Sequence, residues 1–474
     1  MKLYSLLKNI NCRVFGTTVL DIKGIYHNDT EVKSNGLFFC LRGTRVDGRE
    51  FVLSAVKNGA VAIVTEQEIP NLSNVTQIVV KNARETMSLI ACKFFGNPAE
   101  KLKIIGVTGT NGKTTITNML ASILKNFGKK CAVVGTNGIF INNNHYDTGL
   151  TTPDPIDLQR YFSIMVKNKI EYVCMEVSAH AVALNKVDGF RFSQVIFTNL
   201  TEDHLDYFKT MENYFLAKSK LFSKKYTNIA ILNLDDEYGV RLSKCINLSY
   251  FGYAINNQSD LRAENIKIND FGQNFDLDGK DVRINFLGRF NVYNSLATIL
   301  CLEKLGFSRD EVISKIKFIN QVEGRFNPYF IDEKIIVIDY AHTPDGLENA
   351  LKTCRDLSKN SKVISVFGCG GNRDKEKRKI MGEISSNLAD YTIITSDNPR
   401  FESRENIARE IEKGFTNKNY KIVLDRKLAI KEAIEFAEKG DIILISGKGS
   451  ENYIEEAGVK IPYSDKAEIE KYRR

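Results

Sequence analysis

Short apolar runs separated by polar, glycine-containing turns recur along most of this 474-residue chain. Near the start, Gly36-Leu-Phe-Phe-Cys-Leu-Arg-Gly43 and Ala60-Val-Ala-Ile-Val64 read as buried strands, with helical spacing from Gly48 to Asn58 between them. The stretch Phe95-Gly96-Asn97-Pro98 has the chemistry of a turn and marks a linker. From Lys103 onward, strand-like runs at 103–107, 131–134, 171–177, 194–198 and 228–233 alternate with helical stretches. Such alternation builds a mostly parallel sheet with helices on both faces. Around Gly324-Arg325-Phe326-Asn327-Pro328 the character changes, and a new set at 335–339, 362–367, 391–395 and 441–446 predicts a Rossmann-like domain. The fold class expected is α/β in three domains: a small α/β domain over 1–97, a central domain with a mostly parallel sheet over 98–326, and the Rossmann-like domain over 327–474.

Between the first central strand and its helix the chain reads Ile104-Ile-Gly-Val-Thr-Gly-Thr-Asn-Gly-Lys-Thr-Thr115. A strand, a glycine-rich loop and a helix start in that order form a phosphate loop, so a polyphosphate, ATP in the first instance, is expected here. Gly109 and Gly112 let backbone N–H groups turn inward, and Thr110 and Asn111 lie between them. The helix N-terminus adds partial positive charge. Lys113 would reach the β/γ-phosphates, and Thr114 or Thr115 would hold a Mg²⁺. The loop is not a strict Walker A, since Val107 stands where that pattern wants glycine and Gly106 lies one place early.

Composition narrows the setting. A net charge of +8 is small for this length; it suits an anionic substrate and, without a clustered basic face, does not argue for nucleic acid. The nine cysteines show no CxxC pair and no metal-ligand spacing, which reads as reduced thiols in the cytoplasm. The start, MKLYSLLKNINCRVFG, lacks the apolar core of a signal peptide, and no run is long enough to span a membrane.

Two strand ends carry further chemistry. The apolar run from Glu171 finishes in Glu176, Ser178 and His180, which a period of two would place on one face. The run before Thr198 leads into Asn-Leu-Thr-Glu-Asp-His204-Leu-Asp206, where a histidine between carboxylates can ligate a divalent metal. Lys218, within Tyr214-Phe-Leu-Ala-Lys-Ser-Lys-Leu-Phe222, says nothing by spacing alone.

TGTNGKT, EVSAH, TNLTEDHLDYF, EGRF, DYAHTPDGLENAL, FGCGGNRDKEKR, TSDNPR and SGKGSE together resemble, in order, the Mur ligase family of peptidoglycan synthesis. The resemblance covers nearly the whole chain, and the loop with Val107 is that family's own variant. It implies a UDP-substrate domain, a central ATPase domain and a C-terminal amino-acid domain. It also implies an ATP-dependent amide ligase that joins meso-2,6-diaminopimelate to the carboxylate of UDP-N-acetylmuramoyl-L-alanyl-D-glutamate through an acyl phosphate. By resemblance Thr114 and Glu176 bind one Mg²⁺ and His204 with Lys218 a second, Lys218 being carbamylated by CO₂. A plain lysine is a cation at neutral pH, whereas its carbamate is an anionic oxygen donor. Asn294 matches an adenine contact, and Arg325, Asp339 and His342 match further ATP contacts. Asp29, Thr151, Thr152, Ser178 and Lys186 match the UDP-substrate positions. Arg373, Asp397, Asn398, Pro399, Arg400, Gly447 and Glu451 match the amino-acid site.

Within that site Asp397-Asn398-Pro399-Arg400 resembles the signature for diaminopimelate over lysine. A guanidinium reads the extra carboxylate, and lysine would leave Arg400 buried and unpaired. The chain departs from the family pattern at Asp29-Thr30, at Leu184, Asn185 and Lys186, and at Ser450 in place of a histidine. These departures fall mostly on acceptor contacts, so a related ligase with another carboxylate acceptor, or a lysine-adding relative, stays open. An ATP-sensing switch is the other alternative, against which Glu176, His204 and Lys218 argue. A monomer without nucleic-acid or membrane partners is expected.

Overall fold

The computed structural model describes residues 1–43, 46–72, 74–269, 272–358 and 360–473. The chain forms two compact units: Met1–Val107 with Phe127–Val195 and Ala217–Ile229, and Thr108–Asn126 with Ile196–Leu216 and Ala230–Arg474.

In the first unit, strands β1 (Cys12–Phe15), β2 (Gly24–Tyr26), β3 (Gly36–Phe39), β4 (Ala60–Thr65) and β5 (Thr76–Val80) form a sheet in the order β1-β5-β4-β3-β2. Only β1 runs antiparallel to its neighbour. The expected strand from Gly36 to Gly43 stops at Phe39, short of Thr44 and Arg45, which lie outside the described residues. Helix Ala83–Phe94 closes one face: Asn82 caps it by accepting from the Glu85 N–H, and Met87, Ile90 and Ala91 bury a stripe at helical spacing. Further along lie β6 (Lys103–Thr108), β7 (Cys131–Gly135), β8 (Gly138–Ile141), β9 (Asn144–Tyr146) and β10 (Tyr172–Glu176). β10 pairs in parallel with β6 and β7, while β8 and β9 extend the edge as an antiparallel meander.

After β11 (Gln194–Phe197) the second unit takes up β12 (Ile229–Asn233) and β13 (Ser249–Ala254), then β14 (Leu261–Asn269), β15 (Gly272–Leu277) and β16 (Lys280–Ile284). The last three are antiparallel to one another, an addition that the alternating pattern did not predict. Helix Lys113–Asn126 buries Ile116, Met119, Leu120, Ile123 and Leu124, the stripe of a helix facing a core.

The C-terminal sheet holds β17 (Asn327–Ile331), β18 (Lys334–Asp339), β19 (Val363–Phe367), β20 (Tyr391–Ile394), β21 (Tyr420–Ile422) and β22 (Ile442–Ser446) in the order β17-β18-β22-β19-β20-β21. All but β17 are parallel. Cores on both faces cover it, one around Leu347, Leu351 and Met381, the other around Ala429, Ile430 and Ile434. Because β22 inserts between β18 and β19, strand order reverses there, and doubly wound sheets open a crevice at such a point. A short hairpin, β23 (Tyr453–Glu456) and β24 (Val459–Pro462), follows.

Candidate active site

The phosphate loop leaves β6 at Thr108 and enters its helix at Lys113, as the sequence predicts. Side chains beyond β11 hold it from below. Asn199 Oδ1 accepts from the Asn111 N–H at 2.9 Å, and the Thr198 hydroxyl donates to the Asn111 carbonyl at 2.6 Å. Lys113 Nζ donates to the Gly109 and Thr110 carbonyls at 3.0 and 2.8 Å, so the ammonium sits folded back over its own loop. Gly112 has φ of +87°, and a Cβ there would lie 2.6 Å from Asn294 Oδ1. Only glycine lets the loop pass that side chain.

Above the loop lies a cleft of about 800 Å³. Asn111, Gly112 and Thr115 line it from the loop and helix, and Asn294 from helix Arg289–Lys304. Arg325, Asp339 and His342 line it from the chain around β18. Seven of the eleven expected ATP residues thus meet on one wall; Gly109, Thr110, Lys113 and Thr114 complete the loop beneath. Arg325 donates to the Thr114 hydroxyl at 2.9 Å, and its guanidinium lies 4.4 Å from the Tyr340 ring centroid. Asn111 Nδ2 donates to Asp345 Oδ2 at 2.7 Å. The Asp339 carboxylate accepts from the Phe326 and Ala341 N–H groups. Burial pushes the Asp339 carboxyl above its ordinary range, though Arg325 opposes the shift. Burial, seconded by the Lys377 ammonium, lowers the pKa of His342, leaving a neutral ring at pH 7. Sequence reasoning missed Phe290, Tyr293 and Tyr340, which supply the apolar wall. Phe290 and Tyr293 sit three residues apart on one helix, a spacing that core aromatics share.

Asp203 Oδ1 accepts from the His204 N–H at 2.9 Å, and Oδ2 lies 3.3 Å from His204 Nε2. Burial alone would raise the Asp203 carboxyl, but His204, His342 and Lys377 together hold it below its usual value. His204 has φ of +58°, a conformation that non-glycine residues seldom adopt. Among the described residues, no group of three or more His, Cys, Asp or Glu could hold a metal by itself.

In the first unit β10 ends at Glu176, and a helix, Ala179–Ala183, begins almost at once. This corrects the expectation that Glu176, Ser178 and His180 share a strand face. Ser178 is a helix cap whose hydroxyl accepts from the Ala181 N–H, and His180 belongs to the helix. Even so, Glu176 joins the expected acceptor residues in one network. Its carboxylate accepts from the Thr136 N–H at 3.0 Å and hydroxyl at 3.1 Å. Thr151 bonds Thr136, and Thr152 donates to the Glu176 carbonyl while accepting from the Ser178 N–H. Lys186 pairs with Asp154 at 2.9 Å. Asp29 opens a short turn elsewhere, its carbonyl accepting from Asn58. Lys218, in helix Met211–Ser219, is buried, 1% exposed. Thr136, the centre of this network, gave no signal in the sequence.

In the second unit, the C-terminal ends of β20 and β22 carry most of the expected amino-acid residues. Asn398 donates to Glu451 at 2.9 Å and accepts from Lys448 at 3.0 Å and from the Glu455 N–H at 2.8 Å. Burial opposes ionisation of Asp397, yet the Lys448 and Arg426 charges keep its carboxyl below the ordinary range. Gly447, at φ +112°, is a necessity: a Cβ there would lie 2.5 Å from Asp397 Oδ2. Arg373 is exposed on the loop after β19. Arg400 requires a correction. Its Nε donates to Glu455 at 3.0 Å and its NH1 to the Gly371 carbonyl at 2.8 Å. An amine lacking the second carboxylate therefore does not leave this guanidinium unpaired. Lys448 and Glu455 were not singled out from the sequence.

Three family models match in order: the Mur ligase family catalytic domain over residues 21–95, the Mur ligase middle domain over 107–302, and the Mur ligase glutamate ligase domain over 324–449. The chain belongs to the Mur ligase family and is an ATP-dependent ligase. It is 42% identical to UDP-N-acetylmuramoyl-L-alanyl-D-glutamate–2,6-diaminopimelate ligase 1 of Clostridium acetobutylicum, over 99% of this chain and 98% of that one. A solved structure of a UDP-N-acetylmuramoyl-L-alanyl-D-glutamate–2,6-diaminopimelate ligase superposes with a TM-score of 0.71 at 30% identity, covering 100% of this chain and 99% of the other. MurF ligase from Thermotoga maritima, solved in complex with ADP, shares the fold at 20% identity and a TM-score of 0.62, covering 89% and 93%. No helix among the described residues is long and apolar enough to cross a membrane.

Proposed function

We propose that the chain uses ATP to join meso-2,6-diaminopimelate to the γ-carboxylate of UDP-N-acetylmuramoyl-L-alanyl-D-glutamate. The observation that carries this reading is the convergence of the phosphate loop, Asn294, Arg325, Asp339 and His342 on one cleft, in a chain so similar to diaminopimelate ligases. The acceptor carboxylate attacks the terminal phosphorus of ATP, the bond to ADP breaks, and an acyl phosphate results. The amine then attacks the acyl carbon, and phosphate leaves as the amide forms.

Two anions must meet in the first step, so the site needs preorganised positive charge. Lys113 supplies it by exchanging its loop carbonyls for phosphate oxygens. Phe290 and Tyr293 take the base beside Asn294, while Arg325 and Asp339 face ribose and phosphate. A Mg²⁺ held beside the phosphate loop would neutralise phosphate charge. It commonly keeps waters and needs only one or two protein oxygens. Thr114 and Glu176, each an oxygen donor, are the residues assigned to it. His204 and Lys218 would hold a second ion, with Lys218 as its carbamate; intact-mass measurement at neutral pH, showing 44 Da more than the plain chain, tests that modification. Thr151, Thr152, Ser178, Lys186 and Asp29 are assigned to the UDP-linked acceptor. Asp397, Asn398, Pro399, Arg400, Gly447, Glu451 and Arg373 are assigned to the amino acid.

On this reading residues 1–97, 98–326 and 327–474 are the functional domains, and the enzyme works as a cytoplasmic monomer. Phosphate release from the purified chain tests the proposal, with each acceptor and amine added in turn. Release is expected only when the UDP-muramoyl dipeptide and diaminopimelate are both present. Equal release with L-lysine would make it a lysine-adding relative, and release with neither would overturn the ligase assignment.

A further inference from the structure

Arg426, met above only through its charge near Asp397, belongs to a deeply buried ion pair beside the C-terminal sheet. Arg426 and Asp465 have fully buried side chains, and the pairing is two-pronged: Nε to Oδ1 at 2.7 Å and NH2 to Oδ2 at 2.8 Å. The Tyr463 hydroxyl donates to the same carboxylate at 2.8 Å. The guanidinium also reaches two backbone carbonyls: NH1 donates to Ser396 at 3.2 Å and NH2 to Ser446 at 2.9 Å.

The placement of those carbonyls matters. Ser396 precedes Asp397, and Ser446 precedes Gly447. They follow β20 and end β22, which are not neighbours, because β19 lies between them. No ladder hydrogen bond therefore sets the distance between the two loops. Tolerance there is small: Asp397 Oδ2 leaves no room for a Cβ on Gly447, and Lys448 Nζ stands 3.7 Å from Asp397 and 2.9 Å from Glu451. Arginine is suited to such a task, since its planar fork donates in several fixed directions at once. Burying it requires a partner, which Asp465 provides from the first turn of the last helix, Asp465–Glu470.

We infer that the Arg426–Asp465 pair is a positioning device for the amino-acid site, fixing the spacing between the loop of Asp397 to Arg400 and the loop of Gly447 to Glu451. The inference rests on the assignment of those loops to the amino acid. A plain core ion pair would contribute stability alone.

Three full-length variants separate these roles: Arg426→Lys, which keeps the charge without the fork; Asp465→Asn; and the double variant Arg426→Met with Asp465→Leu, which removes both charges at similar volume. Steady-state kinetics, thermal melting and amide hydrogen exchange are measured on each. In the double variant we expect KM for diaminopimelate to rise about tenfold or more while KM for ATP stays within about twofold, since misplacing binding groups costs on that scale. Exchange at 397–400 and 447–451 should quicken, and Arg426→Lys should fall between wild type and the double variant. A folded double variant with unchanged exchange in both loops overturns the clamp, whatever the amine. KM values for both substrates that rise together, in step with melting temperature, overturn it as well. If wild type ignores diaminopimelate, the amino-acid assignment fails instead, and the exchange experiment still judges the clamp.

Discussion

The cleft assigned to the nucleotide and the cluster assigned to the amino acid stand in the same compact unit, and they are built on opposite principles. The cleft is made of backbone donors, neutral amides and aromatic faces around Asn111, Asn294 and Tyr293, with few full charges. The cluster is a closed set of charges, Lys448 with Glu451 and Asp397, and Arg400 with Glu455, already satisfied by one another. A site of the first kind gives up hydrogen bonds to its own backbone, such as those of Lys113, when its ligand enters. A site of the second kind must trade each internal pair for a contact with the ligand. It gains discrimination at some cost in affinity, because every swap is a difference between two strong interactions.

The largest break in that comparison comes from the one full charge the phosphate loop does carry. Lys113→Ala should lower turnover by about 10²–10³ or more, the usual loss of a preorganised charge at a developing oxyanion. Circular dichroism should be unchanged, because the bonds Lys113 makes to the Gly109 and Thr110 carbonyls stay within its own loop. Turnover near wild type would remove the phosphate-loop reading.

Next in size is Arg400→Ala. A charge-assisted bond is worth about 1.5–3 kcal/mol, so kcat/KM for diaminopimelate should fall roughly 10- to 100-fold. Glu455 already shares this guanidinium, which places the effect at the lower end. L-Lysine should lose little, and the ratio of the two amines is the measurement. A wild-type enzyme that takes both equally would sink the selectivity argument.

Tyr293→Phe probes the cleft more gently. The Tyr293 hydroxyl donates to Asp235 Oδ2 at 2.8 Å, and Asp235 also accepts from the Ile255, Asn256 and Asn257 N–H groups. Losing that one bond should raise KM for ATP about fivefold, on the order of 1 kcal/mol, and leave KM for the amine alone. A change in amine KM instead would show that the two sites are not separable.

The smallest effect is on acid stability beside the cluster. Hydrogen bonds from Arg378 hold the Glu402 carboxyl down at about 2, against an ordinary 4.5. A carboxyl depressed by folding contributes stability above its unfolded pKa and loses it as pH falls through the folded one. Melting temperature should therefore drop between pH 4.5 and about 2, and Glu402→Gln should flatten that part of the curve. An unchanged slope would mean that Arg378 finds compensation in Glu410.

What the sequence could tell divides along the same line. The phosphate loop was legible because its chemistry is local: strand, glycines and lysine lie within a dozen positions. The strand ends of the Rossmann-like domain were legible too, through period and turn residues. Ser178 was misplaced because a helix starts three residues after the end of β10, and a capping serine looks like a strand residue in a period-two frame. Thr136 and Asp345 were illegible for another reason. Each acts on a residue 40 or 234 positions away, and nothing local marks the partner. Glu455, in a hairpin strand of half-buried residues with no local mark of a site, was hidden likewise.

One last feature bears on turnover itself. Two side-chain bonds described above join segments more than two hundred residues apart: Asn111 to Asp345, and Arg325 to Thr114. Each joins a charged group to a neutral one, so together they contribute about 3–6 kcal/mol, a fastened-to-unfastened ratio of more than roughly 100. The clasp is reversible, since a hydrogen bond opens with no covalent change. On the proposed function, nucleotide entering or leaving this cleft meets that clasp, so one asparagine and one arginine bear on its passage.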